Sequence, residues 1–197
     1  MCLKRTTKLI LLAAGVAAVF ATSAASNDVV EGNPSAPVRV TIFSDLQCDY
    51  CQTFRTMLDE KLLPKYGEQV AFVYRDLPLG RHNWAHTAAM VQRWVYAQSS
   101  RLGGIFQREL LSEQSHITPE SLKPWVIEFA TRNKLSQQGI AAAMTDPGLS
   151  ALVDGDIQIA TTRGIKKVPT VVVAGKTFSE TIVYDDVARA LDQALPH

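Results

Sequence analysis

The order of strand and helix signals constrains this chain most. Val38-Arg39-Val40-Thr41-Ile42-Phe43 is β-branched and aromatic, bounded by Pro37 and by Ser44-Asp45, and reads as a strand. From Cys48 to about Leu63, Phe54, Met57, Leu58 and Leu62 recur at helical spacing, with Pro64 and Gly67 expected to close the helix. Val70-Ala71-Phe72-Val73-Tyr74 is a second strand. Together they predict a βαβ unit, whose strands must run parallel in one sheet. Residues 82–162 then carry helical periodicity and little strand signal, with helices expected near 83–99, 103–112, 119–132, 136–144 and 148–162. Strand signal returns at Val168–Ala174, Gly175-Lys176 reads as a hairpin turn into Thr177-Phe178, and Tyr184–Leu195 is a closing amphipathic helix. The outer pieces, βαβ and ββα, can share one sheet, which makes the helical block an insertion. Asn27–Pro37 reads as a polar arm.

Residues 1–25 are expected to be a secretory signal peptide. Lys4, Arg5 and Lys8 precede an uncharged run from Leu9 to Phe20, and small residues follow up to Ala25. That run is short beside the ~20 residues of a spanning helix; an uncleaved membrane anchor is the alternative. The predicted organisation is then 1–25 signal peptide, 26–81 first part of the sheet domain, 82–163 helical insertion and 164–197 second part. Removal of the peptide takes Cys2 and three basic residues, which turns 20 basic against 19 acidic side chains into 17 against 19. Neither balance provides a basic field for nucleic acid. Of three cysteines, Cys48 and Cys51 remain, in a compartment expected to be oxidising and extracytoplasmic.

Cys48-Asp49-Tyr50-Cys51 follows a strand and opens a helix. Unpaired amides and the positive end of the helix dipole favour a thiolate there. Cys48 is expected to be the exposed nucleophile, and Cys51, one turn in, the shielded resolving thiol; the spacing lets the two form a redox-active disulfide. An inert structural disulfide is the bland alternative, but so small a loop constrains little of the unfolded chain. A zinc site from Cys48, Cys51, His82 and His86 is the other, against which stands a Cys51–His82 separation beyond the usual finger spacing.

Phe43-Ser44-Asp45-Leu46-Gln47-Cys48-Asp49-Tyr50-Cys51 resembles the active-site segment of the DsbA-like thiol–disulfide oxidoreductases, closest to the BdbD-type branch. Tyr74-Arg75-Asp76-Leu77-Pro78-Leu79, then His82 and Ala85, is similar to that branch's second landmark. Gly164-Ile165-Lys166-Lys167-Val168-Pro169-Thr170, then Gly175-Lys176, is similar to its cis-proline segment. The resemblance covers roughly residues 28–195. It implies an α/β thioredoxin fold with an inserted α-helical subdomain, a cis Pro169 facing the cysteines, and substrate backbone pairing at Val168 and Thr170. It also implies reduced secreted proteins as substrates, a membrane quinone-linked reoxidising partner (DsbB-like or VKOR-like) and no cofactor. A reductase or isomerase in the same compartment is the related reading, and a zinc-binding or chaperone-like module the non-enzymatic one. Only about 22 residues separate the expected cleavage site from Cys48, too few for a dimerisation domain, so a monomer is expected.

Two departures stand out. Many relatives carry a buried carboxylate six residues before the first cysteine, where this chain has Ile42. Asp49 and Tyr50, between the cysteines, are expected to tune the pair: the strongest oxidases have a histidine beside the inner cysteine, and the Asp49 charge should make this chain a milder oxidant. Asp45 reads as a turn or cap residue, with a proton role as the alternative. Trp84, Trp94 and Trp125 read as packing, His82 as a brace on the first inserted helix, His86 and His116 as surface residues, and Arg75-Asp76 as a local ion pair.

Overall fold

A computed structural model describes residues 28–196. The expected signal peptide, with Cys2, lies outside the described residues. The chain forms a five-stranded sheet in the order β1-β3-β2-β4-β5. The strands are β1 (Val29–Gly32), β2 (Val38–Ser44), β3 (Val70–Asp76), β4 (Thr170–Val173) and β5 (Lys176–Ser179). β2 and β3 run parallel, from Val38 opposite Val70 to Ser44 opposite Asp76, and the other pairs are antiparallel. The crossover that parallel pairing requires is α1 (Asp49–Met57), widened by one π-type segment over Leu58–Leu62 and continued as α2 (Leu63–Tyr66). Pro64 therefore lies within the helical run rather than ending it.

Side chains alternate between the faces of the sheet. Val40, Ile42, Phe72, Tyr74, Val171 and Val173 form one apolar core with Phe54, Leu58 and Leu62 of the crossover and with Val187 and Leu191 of α8 (Tyr184–Ala194). Between β3 and β4 come α3 (Ala85–Gln98), α4 (Ser100–Glu113), α5 (Pro119–Arg132), α6 (Gln137–Ala143) and α7 (Pro147–Thr162). Their starts are chemically marked. Ser99, Thr118, Ser136 and Asp146 each accept a backbone amide at the helix opening, and Thr118 with Ser121 closes a capping box. Trp125 and Phe129 stack within this block with Phe106 edge-on to both, and Trp84 is buried in it, as packing predicts. Among the described residues no helix is long and apolar enough to cross a membrane.

Three local expectations need correction. The polar arm contains β1, which covers the free edge of β3; two valines in a glycine- and proline-rich stretch carry too little periodic signal on their own. The hairpin turn is Ala174-Gly175, both at positive φ (46° and 83°), and Lys176 already belongs to β5. Arg75 and Asp76 do not pair with each other. Arg75 reaches Asp28 (2.8 Å) and Asp156 (3.0 Å), and buried Asp76 meets Arg93 of α3. Arg93 also pairs with Asp156 of α7, whose carboxylate in turn accepts the Asp76 amide (2.9 Å). A second buried cluster joins Arg55 of α1 to Glu31 of β1, Tyr74 of β3, Asp59 and Gln107 of α4. The helical block is thus fastened to the sheet through ions as well as through apolar contacts.

Arg93→Met would leave the buried Asp76 carboxylate without its cation and Asp156 with Arg75 alone, and should destabilise the protein by ~3–5 kcal/mol in urea titrations. Arg189→Met, which removes an exposed pair with Asp186, should cost under ~1 kcal/mol. Burial raises the Asp76 carboxyl to about 6 despite the pull of Arg93. The folded state therefore holds this proton more tightly than the unfolded chain, and the group's contribution to stability falls as pH rises through 6. Asp76→Asn should accordingly gain in urea midpoint relative to wild type as pH is raised from about 4 to about 7.

Candidate active site

β2 ends at Ser44, and after three intervening residues Cys48 stands at the N-cap of α1. The loop between them is clamped. The Asp45 carboxylate accepts the Gln47 amide (2.7 Å) and the Leu79 amide (2.7 Å), and His82 Nδ1 lies 2.6 Å from its second oxygen. Gln47 in turn accepts the Trp84 amide (3.2 Å) and donates to Asn83 (3.4 Å). The segment after β3 thus holds the segment after β2. Asp45 does the turn-and-cap work read from the sequence. His82 braces this loop rather than α3, which starts at Ala85, because a fully buried carboxylate is its nearest partner.

Cys48 and Cys51 are free thiols. Cys48 is 5% exposed and Cys51 1%, so Cys48 is buried where the sequence predicts an exposed thiol. Both pack in one cluster with Phe43, Leu46, Leu77, Trp84 and Val168. The two sulfurs nevertheless differ. The hydrogen bond that Cys51 offers, with the backbone amides of Cys51 and Tyr50, lowers Cys48 to about 7 against burial and the Asp45 charge. Burial pushes Cys51 far above the ordinary thiol value, and the hydrogen bond it gives to Cys48 adds to this. The Asp45 amide lies 3.5 Å from the Cys51 sulfur and is a donor to it.

Facing the pair, the Val168–Pro169 peptide is cis and the Val168 carbonyl oxygen lies 3.7 Å from Cys48 Sγ. Thr170 is buried, with its hydroxyl 2.7 Å from the Lys167 carbonyl it donates to. Asp49 and Tyr50 are exposed on the first turn of α1, Tyr50 at 58%. A groove of about 190 Å³ runs from Tyr50 along Thr53, Phe54 and Met57 to Glu180–Ile182. Ile42 is fully buried beneath α1, so the position lacks a carboxylate. The four residues of the zinc alternative do not converge. His82 is held by Asp45 and His86 by Asp154 (3.1 Å), and among the described residues no group of three or more His, Cys, Asp or Glu could hold a metal ion.

A thioredoxin family model matches residues 24–193. The chain belongs to the thioredoxin family. None of the curated proteins matches it. Among solved structures it is similar in fold to the oxidised BdbD of Bacillus subtilis, with TM-score 0.76 and 18% identity over 85% of this chain and 92% of that one. It is also similar to alpha-DsbA1 of Wolbachia pipientis (TM-score 0.74, 17% identity, 86% and 91% covered). A thioredoxin-like oxidoreductase of Silicibacter pomeroyi matches with TM-score 0.70 and 23% identity over 86% and 92%. As a member of the thioredoxin family the chain places its cysteines at the end of a central strand, with the cis-proline segment across from them.

The structure brings together Cys48, Cys51, Val168 and Pro169, 120 residues apart in sequence between Cys48 and Val168. Sequence reasoning underrated Asp45. The signal was there, in an acidic residue three positions before a cysteine at a helix start, but its burial and its histidine partner depend on the loop after β3.

Reduced protein titrated at 240 nm should show one thiolate appearing near pH 7. Cys51→Ala removes the largest influence that lowers Cys48, and should move that titration upward. Iodoacetamide near neutral pH should label Cys48 first, with labelling slowing as pH falls below 7.

Proposed function

We propose that this chain is a thiol–disulfide oxidoreductase that, once exported, passes the Cys48–Cys51 disulfide to reduced secreted proteins. The carrying observation is the split between the two sulfurs, Cys48 held near 7 and Cys51 held high at the start of one helix. A substrate thiolate attacks Cys48 Sγ, the bond to Cys51 breaks, and Cys51 leaves as a thiolate that takes up a proton. A second substrate thiolate then attacks the substrate sulfur bound to Cys48. This forms the substrate disulfide and expels the Cys48 thiolate, which is a good leaving group because it is stable near neutral pH. Two electrons pass from substrate to protein, and a membrane quinone-linked partner of the DsbB or VKOR kind removes them. Val168 and Thr170 would pair with the extended substrate backbone. The BdbD-like fold, the family and the basic-then-apolar amino terminus support this reading. So does the alignment of the cysteine pair with the cis-proline segment.

The reverse direction uses the same atoms. A free Cys48 thiolate attacks a substrate disulfide and Cys51 resolves the mixed species. The reduction potential decides between them, and a potential near that of cytosolic thioredoxin with no oxidation of reduced substrate would assign the chain to the reductases. Cys48→Ser should abolish exchange, whereas Cys51→Ser should accumulate mixed disulfides visible on non-reducing gels; the opposite pattern overturns the assignment. Asp49→His should raise the potential against glutathione by tens of millivolts, since ~30 mV corresponds to 1.4 kcal/mol for a two-electron couple.

A further inference from the structure

Beside the cis-proline segment lies a groove of about 410 Å³. Its wall is the run from Arg163 to Lys167, its floor includes Ile165 and Val172, and Thr177 and Ser179 of β5 form its far side. Val171 and Val173 point into the core with α1 and α8, so Val172 and Thr170 face the other way, into this groove. β5 closes the sheet order, so its outer edge has no strand partner among the described residues.

Every charged residue of the lining is a cation. Lys167 is neutralised by Glu180 at 2.7 Å. Arg163 and Lys166 are exposed and have neither an ion pair nor a side-chain hydrogen bond among the described residues. Arg163 follows the last turn of α7, where a cation suits the helix dipole, but Lys166 has no such explanation. The chain as a whole is nearly balanced, with 20 basic and 19 acidic residues, so this local excess is not a general surface property. Lys167 directly precedes Val168, whose carbonyl oxygen sits 3.7 Å from Cys48 Sγ. An extended chain advances ~3.3 Å per residue, so a substrate whose cysteine meets Cys48 spans the distance to the groove within a few residues.

We propose that this groove selects acidic polypeptide segments, so that the preferred substrates carry Asp or Glu within about four residues of the reacting cysteine. The proposal rests on the thiol-exchange reading above. Cations on the wall attract the carboxylates, the half-buried floor takes alternate apolar side chains, and the open edge of β5 offers backbone groups to an extended segment. Backbone pairing at Val168 alone is indifferent to sequence. The groove adds a charge preference that acts on capture.

Three dithiol peptides that share one Cys-containing core, flanked by aspartates, serines or lysines, test this with the oxidised full chain. At low salt the aspartate peptide should be oxidised with kcat/KM about tenfold above the serine peptide, and the lysine peptide more slowly than both. Raising ionic strength to about 0.5 M should bring the three together, because exposed charges are screened beyond a few ångström there. The double variant Arg163→Glu with Lys166→Glu should invert the ratio of aspartate to lysine peptide; both side chains are exposed and unpaired, so the fold tolerates the change. Equal rates for all three peptides, or an unchanged ratio in the variant, would overturn the charge preference while leaving the exchange reading intact. No exchange with any peptide overturns both.

Discussion

The parallel pairing of β2 with β3 is the constraint on which the rest depends. Two parallel neighbours cannot be joined by a tight turn, so the chain must cross over the sheet and return, and α1 with its extension is that crossover. The helix therefore has to begin where β2 stops, at the carboxyl end of a central strand. On the other side of β2 lies antiparallel β4, which puts the segment before β4 at the same end. Cys48 and Val168 meet because the sheet is wired this way, and helix-start amides are delivered to a sulfur without any dedicated binding loop.

Much of this was legible in the sequence because its signals are local. Strand β2 reads from six consecutive residues, α5 from Thr118-Pro119, α7 from Asp146-Pro147, and the cysteine pair from its place between strand and helix. Signals that depend on partners far along the chain were not legible. Val29-Val30 becomes a strand only because β3 has an edge to cover. Arg93 looks like a stray charge on an apolar helix until Asp76 and Asp156 surround it. Asp45 reads only as a turn or cap residue, and its burial comes from the segment after β3.

The same distinction governs the electrostatics of the pair. The helix terminus was the foreseeable influence on Cys48, but the leading one is the thiol of Cys51, with the Asp45 charge opposing it. Burial raises both cysteines, and they separate because the sulfur deeper in the cluster loses more hydration and gives its hydrogen bond to the other, which that bond lowers. A dithiol split in this manner needs no separate base to define which sulfur carries the charge near neutral pH.

The buried arginines have a consequence for how the two parts of the molecule hold their alignment. An apolar seam tolerates sliding, since any methyl group can replace another at similar cost. A guanidinium held between a carboxylate of the sheet and one of a helix does not, because displacement leaves a charge without its partner in a place water does not reach. Arg93 and Arg55 thus act as dowels between the helical block and the sheet. The residues that brace the cysteine loop, Leu79, His82 and Trp84, hang from the same junction and keep their registration with it.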